Sequence, residues 1–541
     1  MIFLYSLVVS FLITSVLIPV LIRIAPRLNL IDIPDERKRH HRPVPKVGGI
    51  ALVVGSTIPV LFLDHGDNTI LFIICCSAII AFFGFLDDIL NLSPKVKFAV
   101  QIFVACLVAL VGGIKISSLG YLWDSQKFVL GTFSVPVTIF WLVLGTNAIN
   151  LADGLDGLAA GLCLLIFCFI CFLAIESRSY NIALLAFSIC GAIIGFLKYN
   201  TFPAIVFLGD AGSQFLGFLA SLLLIILTQH SMYSPVLPLL LLGVPIIDTI
   251  YVFCNRILQG KSPFQADRSH LHYLLMDLGF THQQSVLFIY MLQSLMLTVA
   301  FLCRFGQDGL LFFGYLIFSF AFVYSVVKLQ KKKTALPPLN KIAQIVLFSP
   351  PKNEFVRTKV AYYAFVSMIV LLGSFYVSIP FLLREIPPDL GVLSGFLFLI
   401  MLFLWRFEIL SKFFFLTSIF FLSVFYFYFL DFNSEILLYP RLSSYCNLLF
   451  LALGLLYILY VIASNRAVSV TNLDFLVLII AIILPKLAKR LTWQKNLDLF
   501  FLKLIAVYFF VTTIHRPKSF FFLYVCIVLS LFTIFVKSIF L

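Results

Sequence analysis

Apolar stretches of about twenty residues, long enough to cross a lipid bilayer, recur along the whole of this 541-residue chain. Hydrophobic residues make up 62% of it and charged residues 11%, whereas soluble domains average about half apolar and a quarter charged. Mean hydropathy is +1.09. The sequence therefore predicts an all-α, polytopic membrane protein, since β-barrel strands alternate in polarity and need no long apolar runs.

The apolar stretches predict about eleven spans in the first half and about six in the second. The first-half spans are expected near 3–21, 48–63, 69–86, 98–114, 134–149, 157–175, 181–197, 212–229, 235–254, 286–303 and 309–327. The first lacks a basic leader and a small-residue cleavage site, which favours a retained helix over a signal peptide. We divide the chain into a membrane domain at 1–329, a basic, Pro-containing linker at 330–357 and a Phe-rich membrane region of unknown role at 358–541.

The formal net charge is +14, but its placement argues against nucleic acid as a partner. Lys and Arg concentrate in the segments 22–47, 87–97, 255–285 and 328–357, which alternate with short links that carry few of them. This is the positive-inside pattern of membrane proteins. It predicts that the basic segments face the cytoplasm and that the N-terminus lies outside. The eleven cysteines show no metal-binding spacing and receive no functional role.

Four acidic motifs lie at the ends of these apolar stretches. They read FGFLDDILNLSPKVKFAVQ (83–101), NAINLADGLDGLAAG (147–161), FLGDAGS (207–213) and SPFQADRSHLHYLL (262–275). Carboxylates are costly near lipid and rarely persist there without a function. Because the motifs end alternate spans, all four are expected on the cytoplasmic side, where they would form one polar site.

The first motif places two adjacent carboxylates, Asp87 and Asp88, before Lys95 and Lys97. Adjacent carboxylates repel each other unless a cation lies close by, and Mg²⁺ prefers such hard oxygen ligands together with phosphates. Lys95 and Lys97 are both placed to hold phosphate oxygens as point charges. The alternative is a charged cap on a membrane helix with no other task.

The second motif spaces Asn147, Asn150, Asp153 and Asp156 three residues apart, which is the spacing of one helical face. If the segment is helical, these four side chains project to one side and can bind a nucleotide and a metal ion. The alternative is a polar loop, since Asp-Gly pairs mark turns.

The third and fourth motifs add one carboxylate and a basic patch. Asp210 opens a span between two glycines, and alone it would be interpreted as a helix N-cap. Beside the other carboxylates a metal ligand is the better interpretation. Arg268, His270 and His272 suit phosphate binding, and two histidines are too few for a zinc site. A solvated basic loop is the alternative for this patch.

Taken together, the four motifs resemble those of the polyprenyl-phosphate N-acetylhexosamine-1-phosphate transferase family. PKVGGIAL (45–52) resembles a further element of that family, and the likeness covers roughly 1–330. The loop with ADRSHLH is similar to the branch that uses smaller UDP-sugars, which starts O-antigen and teichoic-acid linkage synthesis. The chain departs from the family at Tyr273 and Leu274, where the family commonly has His and Arg.

The resemblance implies a Mg²⁺-dependent enzyme, with Mn²⁺ as an alternative ion, in the bacterial inner membrane with its site facing the cytoplasm. It would transfer N-acetylhexosamine-1-phosphate, most simply GlcNAc-1-phosphate, from a UDP-sugar to a polyprenyl phosphate such as undecaprenyl phosphate. UMP would be released, in the first membrane step of a cell-envelope polysaccharide. A homodimer is compatible with this reading.

The implied roles fall into two groups of residues. The catalytic group is Asp87, Asp88 and Asp210, with Asp87, Asp153 and Asp210 as the metal ligands. Substrate binding would fall to Lys46, Lys97, Asn147, Asn150, Asp153, Asp156, Arg268, His270 and His272.

Two other functions compete with the transferase. Charged groups in membrane helices often mark transport pathways, so a transporter or lipid flippase is the first, although its carboxylates should lie in mid-span. The second is a non-catalytic scaffold for lipid-linked glycans, which would not need the complete acidic set.

Overall fold

The computed structural model of the protein describes residues 1–33, 42–63, 66–123, 126–229, 231–260, 262, 269–331, 354–404, 408–439, 442–464, 471–488, 497–512 and 517–540. The chain forms two compact units. The first comprises Met1–Pro338 with Thr471–Ile480, and the second comprises Leu339–Val470 with Ala481–Leu541. Most of the predicted linker, residues 332–353, lies outside the described residues.

Helices dominate the described part of residues 1–331, beside one two-stranded antiparallel sheet. The strands are β1 (Ile31–Asp32) and β2 (Val44–Pro45). The helices are α1 (Ile2–Ile24), α2 (Gly48–Leu63), α3 (Asn68–Leu90), α4 (Pro94–Cys106), α5 (Ser134–Ala152), α6 (Leu158–Glu176), α7 (Tyr180–Asn200), α8 (Gly209–Gln229), α9 (Leu237–Leu241), α10 (Gly243–Leu258), α11 (Leu271–Asp277), α12 (His282–Leu302) and α13 (Asp308–Lys331).

Seven further helices follow in the described residues after 353. They are α14 (Glu354–Leu382), α15 (Pro388–Leu404), α16 (Glu408–Phe432), α17 (Leu442–Ser464), α18 (Asn472–Ala488), α19 (Leu497–Thr512) and α20 (Pro517–Phe540).

Thirteen helices in the described residues are long and apolar enough to cross a membrane, which confirms the predicted all-α, multi-pass architecture. Nine of them precede residue 331, where about eleven spans were predicted. The remaining two predicted spans take other forms. Gly48–Leu63 is only 16 residues long, and the span predicted at 235–254 divides into α9 and α10, between which Leu242 leaves helical geometry.

Helix α8 lies at the centre of the first unit, where it packs against α2, α3, α5 and α6. Small residues permit this close packing, as is common between membrane helices. A Cβ built on Gly84 would lie 2.6 Å from the Asp210 carbonyl oxygen, and one built on Gly212 would lie 2.7 Å from the Gly49 Cα. The backbone of α8 is therefore held directly against α2 and α3 at the end that carries Asp210.

Helices α1, α2 and α7 are joined by buried serine hydroxyls. Ser6 donates to the Leu184 carbonyl at 3.0 Å, Ser10 and Ser188 share a hydrogen bond of 2.5 Å, and Ser188 donates to the Ser56 carbonyl at 2.6 Å. Polar groups in an apolar interior need such partners. These contacts hold α1 as an integral member of the bundle.

The short links predicted to share one membrane face meet at the end of the bundle opposite the acidic motifs. Arg304 binds both carboxylate oxygens of Glu176, at 2.8 and 2.7 Å, and Tyr233 donates to the same carboxylate at 2.8 Å. Asn181 donates to Asp67 at 2.6 Å. The grouping of these links on one side is therefore confirmed by direct contacts.

The second unit has a core rich in aromatic rings. Tyr376 and Ser423 share a hydrogen bond of 2.5 Å, and the Lys503 ammonium pairs with the Asp431 carboxylate at 2.5 Å. Both charged side chains are almost completely buried. A buried charge is costly unless it is paired, so this ion pair is a central feature of the unit.

Candidate active site

A lysine ammonium joins two of the predicted catalytic carboxylates. Helix α3 ends at Leu90, and α4 begins at Pro94 after a three-residue link, so the first turn of α4 folds back toward the end of α3. There the Lys97 Nζ lies 2.9 Å from the Asp210 Oδ2 and also contacts the Asp87 Oδ2. The Asp87 Oδ1 accepts the Leu92 N–H at 2.7 Å. Lys97 therefore balances charge from two separate motifs, whereas Lys95 is exposed.

Asp88 has a different task from its neighbour. Its carboxylate accepts the backbone N–H groups of Asp210 at 3.1 Å and Ala211 at 3.2 Å. These are orphan donors at the start of α8, where a negative charge is also favoured by the helix dipole. The preceding Gly209 has φ +71°, and a Cβ there would lie 2.6 Å from the Asp88 Oδ2. The cap of α8 thus comes from α3, and Asp210 is left to face the site.

Asp210 is held by amide side chains that sequence reasoning assigned only in part. Asn150 donates to the Asp210 Oδ1 at 3.2 Å and to the Ser213 hydroxyl at 2.9 Å. On the other oxygen, the Gln214 Nε2 donates at 3.4 Å. Asn150 was predicted to bind a nucleotide. What the structure shows is that Asn150 positions the Asp210 carboxylate, and its binding of a nucleotide stays a prediction.

A chain of three carboxamides continues inward from Asp210. Asn147 donates to the Gln101 oxygen at 2.6 Å, and the Gln101 amide donates to the Gln214 oxygen at 3.0 Å. Gln214 then donates to Asp210. Gln101 and Gln214 are buried and were missed by sequence reasoning. Their spacing, four residues after Lys97 and Asp210 respectively, could have indicated them because such pairs share a helical face.

The predicted helical face of the second motif is correct only for its first half. Helix α5 ends at Ala152, and residues 153–157 form a turn that closes at Gly157 with φ +79°. Asp156 accepts the Ala204 N–H at 3.0 Å, so it fixes the loop before α8. The Asn200 side chain accepts the Gly157 N–H at 2.9 Å. The Asp-Gly pairs therefore form the turn that carries Asp153.

Asp153 is the least compensated carboxylate of the site. Within the described part of the chain its side chain makes no hydrogen bond or ion pair. Burial raises its pKa to about 8, with further contributions from the charges of Asp210, Asp88 and Asp156, while Lys46 opposes the rise. An ionised Asp153 is therefore held among other anions, an arrangement that would be relieved by a bound cation.

Lys46 reaches the edge of the site from the β-hairpin. Its backbone N–H donates to the Leu30 carbonyl at 2.8 Å, and its ammonium lies 3.3 Å from the Asp32 Oδ1. Next to it, the Pro45 carbonyl accepts the Phe207 N–H at 2.8 Å. The segment 45–49 thus runs beside 207–208 and brings Lys46 close to the acidic cluster.

The described histidines of the fourth motif are buried, which contradicts the solvated-loop alternative for them. The rings of His270 and His272 stack at 5.6 Å with an interplanar angle of 12°. His270 pairs with Asp248 of α10, a residue that sequence reasoning missed. His272 lies against Gly154, where an added Cβ would be 2.5 Å from its Cε1. The motif therefore meets the 153–157 turn. Arg268 lies outside the described residues.

The donor atoms of the site suit a hard divalent cation by their chemistry, because carboxylate oxygens are what Mg²⁺ prefers. Asp87, Asp153 and Asp210 belong to one electrostatic cluster. Among the residues that the structure describes, however, no three Asp, Glu, His or Cys side chains converge closely enough to hold a metal ion. Lys97 occupies the position between Asp87 and Asp210.

An apolar cleft opens beside the polar cluster. Its lining residues are Phe83, Leu92, Val96, Val100, Lys97 and Gln214. The cleft thus combines aliphatic and aromatic side chains with the side chain of Lys97.

The fold and the site together define a multi-pass α-helical membrane protein with a cluster of carboxylate, lysine and amide groups at one end of its bundle. The chain belongs to glycosyl transferase family 4, whose model matches residues 70–228. The matched segment includes Asp87, Lys97, Asn150, Asp153 and Asp210.

Three relatives similar to this chain carry closely matching names. A probable undecaprenyl-phosphate N-acetylglucosaminyl 1-phosphate transferase of Bacillus subtilis is 39% identical over 291 residues, which cover 53% of this chain and 81% of the relative. The undecaprenyl-phosphate alpha-N-acetylglucosaminyl 1-phosphate transferase of Escherichia coli K12 is 31% identical over 308 residues, covering 56% and 84%. That of Yersinia pestis is 33% identical over 297 residues, covering 54% and 81%.

Proposed function

We propose that the protein transfers N-acetylhexosamine-1-phosphate, with GlcNAc-1-phosphate as the first candidate, from a UDP-sugar to a polyprenyl phosphate such as undecaprenyl phosphate. The observation that carries this proposal is Lys97, which joins Asp87 to Asp210 and also lines an apolar cleft. The names of the relatives support the same lipid and the same sugar phosphate. The polar groups lie at helix ends rather than in mid-span, which favours a transferase over a transporter.

The side chains that line the cleft match the two chemistries of the acceptor lipid. Phe83, Val96 and Val100 would contact the prenyl chain, and the Lys97 ammonium would receive the phosphate as a compact point charge. The second pKa of a phosphate monoester is about 6. The acceptor is therefore mostly dianionic at neutral pH and needs no strong general base.

The reaction exchanges one phosphoanhydride bond for another. An oxygen of the lipid phosphate attacks the β-phosphorus of the UDP-sugar, the new P–O–P bond forms, and the bond to the UMP oxygen breaks with its electron pair. UMP leaves as an anion that keeps the bridging oxygen and the electron pair of the broken bond. Because little covalent chemistry is required of the protein, its contribution is positioning and charge stabilisation.

The residues of this chain divide that work between them. Lys97 would hold phosphate oxygens while Asp87 keeps its ammonium in place. Asn150 and the amide chain would fix Asp210, and Asp88 would fix the helix that carries it. The nucleotide and its phosphates would meet Lys46, Asn147, Asp156, Arg268, His270 and His272.

The ligands of Mg²⁺, or of Mn²⁺, would be Asp87, Asp153 and Asp210. When bound, the ion would neutralise negative charge on the pyrophosphate of the UDP-sugar. Their oxygen donors support this assignment, as does the position of Asp153 among other carboxylates with only Lys46 to oppose them. The basic segments between spans support a cytoplasmic site in the bacterial inner membrane. The step would begin a cell-envelope polysaccharide.

The test uses the full chain in bacterial membranes with radiolabelled UDP-GlcNAc, undecaprenyl phosphate and Mg²⁺, with and without EDTA. We expect a chloroform-soluble labelled lipid, stoichiometric UMP and loss of both with EDTA. Asp210→Asn should abolish transfer without lowering the amount of folded protein, while Asp277→Asn, at an exposed carboxylate of α11, should leave it unchanged. Failure with UDP-GlcNAc, UDP-GalNAc and other UDP-N-acetyl sugars would exclude the proposal.

A further inference from the structure

Helix α10 contributes a buried carboxylate that the proposed roles do not use. Both oxygens of Asp248 are engaged by the fourth motif. Its Oδ2 lies 2.9 Å from the His270 Nδ1, and its Oδ1 accepts the Leu271 N–H at 2.6 Å. Side-chain exposure is 8% for both Asp248 and His270, so water competes little for this contact.

We propose that Asp248 is a positioning residue that fixes the tautomer and orientation of His270, so that the His270 Nε2 is the ring atom presented to a substrate phosphate. This inference rests on the proposed function, because it takes His270 to be a phosphate-binding group. An ionised carboxylate can only accept hydrogen bonds. The Nδ1 must therefore carry the proton that it donates to Asp248, which leaves Nε2 for the ligand.

The orientation matters because a histidine ring has two different nitrogens, and the partner of one decides the role of the other. With Nδ1 donating to Asp248, His270 can approach a phosphate with Nε2 only. When Nε2 also donates to a phosphate oxygen, the ring carries a positive charge, and the carboxylate behind it balances that charge. Asp248 would thus support anion binding without touching the substrate.

The effect of Asp248 extends to the carboxylate cluster through ring contacts. His270 stacks on His272, which lies against Gly154 in the turn next to Asp153. Asp248 also fixes the start of α11 through the Leu271 N–H. One carboxylate therefore sets the position of both histidines relative to the acidic turn.

Asp248→Asn separates this role from a purely structural one. The Asn oxygen can still accept the Leu271 N–H, which keeps the bracing of α11. Its amide group then faces the His270 Nδ1 as a donor, so the ring must accept there and carry its single proton on Nε2. The ring can still donate that proton to a phosphate oxygen, but it no longer offers the positive charge that the Asp248 carboxylate balances. We expect unchanged thermal stability and a loss of transfer of about 10- to 100-fold, the scale known for partners that orient metal-bound histidines.

Two further variants sharpen the test. In a His270→Ala background, Asp248→Asn should cause no additional loss, because its effect passes through His270. As a control, Asp277→Asn, at the end of helix α11 that follows His270, should retain full transfer. Full activity of Asp248→Asn, or an equal additional loss in the His270→Ala background, would overturn the inference.

A readout without activity separates this inference from the proposed function. In the full chain labelled with ¹⁵N-histidine, the His270 signals are assigned by their absence from His270→Ala. We expect a protonated Nδ1 in the unaltered protein and a deprotonated Nδ1 in Asp248→Asn. A deprotonated Nδ1 in the unaltered protein would overturn the inference even if transfer is observed. A protonated Nδ1 that changes as expected would uphold the Asp248 contact even if no UDP-sugar is used.

Discussion

Asp88, near the end of one membrane helix, accepts the backbone N–H of Asp210 at the beginning of another, at 3.1 Å. Its second oxygen accepts the Ala211 N–H at 3.2 Å. The adjacent acidic residues thus face different partners, since Asp87 contacts Lys97. The pair does not act as one doubled charge. Asp87 holds the Lys97 ammonium group that contacts Asp210. Asp88 holds the start of α8, the helix that carries Asp210.

Replacement of Asp88 should therefore affect stability and transfer together. Asp88→Ala removes a helix cap, a change that costs about 0.5–2 kcal/mol, and frees the start of α8 to move. Asp88→Asn keeps one acceptor oxygen and should lose less of both. Thermal unfolding and initial rates of the two variants measure this order. A full loss of transfer in Asp88→Asn without any shift in unfolding temperature would show that Asp88 acts directly on substrate.

Lys97→Met should reduce transfer by more than about 100-fold, a loss on the scale of removing one charge-stabilising group from an active site. It removes the ammonium group between Asp87 and Asp210 and leaves their charges unbalanced. Lys97→Arg should not restore the rate, because the planar guanidinium differs from a point charge. The matched control is Lys95→Met, an exposed lysine two residues earlier, which should stay within about threefold. Equal losses of transfer in Lys97→Met and Lys95→Met would show that the rate depends on the total positive charge of this segment and not on the contacts of Lys97.

Gln214→Leu should lower kcat more than it raises KM. The substitution removes a donor to Asp210 and interrupts the amide chain while it preserves apolar packing. Gln101→Leu breaks the same chain one step earlier, so the two losses should not add in the double variant. Initial rates at several UDP-sugar concentrations give both constants. Additive losses would show that the two glutamines act independently.

The convergence of the acidic motifs could be predicted because they end alternate spans, and ends of alternate helices meet on one side of a membrane. Asp87 and Asp210 were placed together for that reason, and both contact Lys97. The position of Asp153 was harder to predict. Spacing by three suggested a helix, but the turn at 153–157 closes at Gly157 in the left-handed region that glycine favours.

Residues whose partners lie far away in sequence could not be found from local patterns. Asp248 is a single carboxylate inside an apolar helix, and its partner His270 follows 22 residues later in the sequence. Gln101 and Gln214 meet across 113 residues. Their function depends on how helices pack, which hydrophobic periodicity does not specify.

The second unit offers a test that is independent of the transferase site. Lys503→Met or Asp431→Leu alone should destabilise it by about 3–5 kcal/mol, because each removes the oppositely charged partner of a buried charge. The double variant should recover most of the loss, since a buried pair can be replaced by apolar side chains of similar volume. Unfolding in detergent measures the cycle, with Asp389→Asn, an exposed carboxylate in the first turn of α15, as a control that changes stability by less than about 1 kcal/mol. A double variant as unstable as the sum of its singles would show that the two charges contribute separately, through partners other than each other.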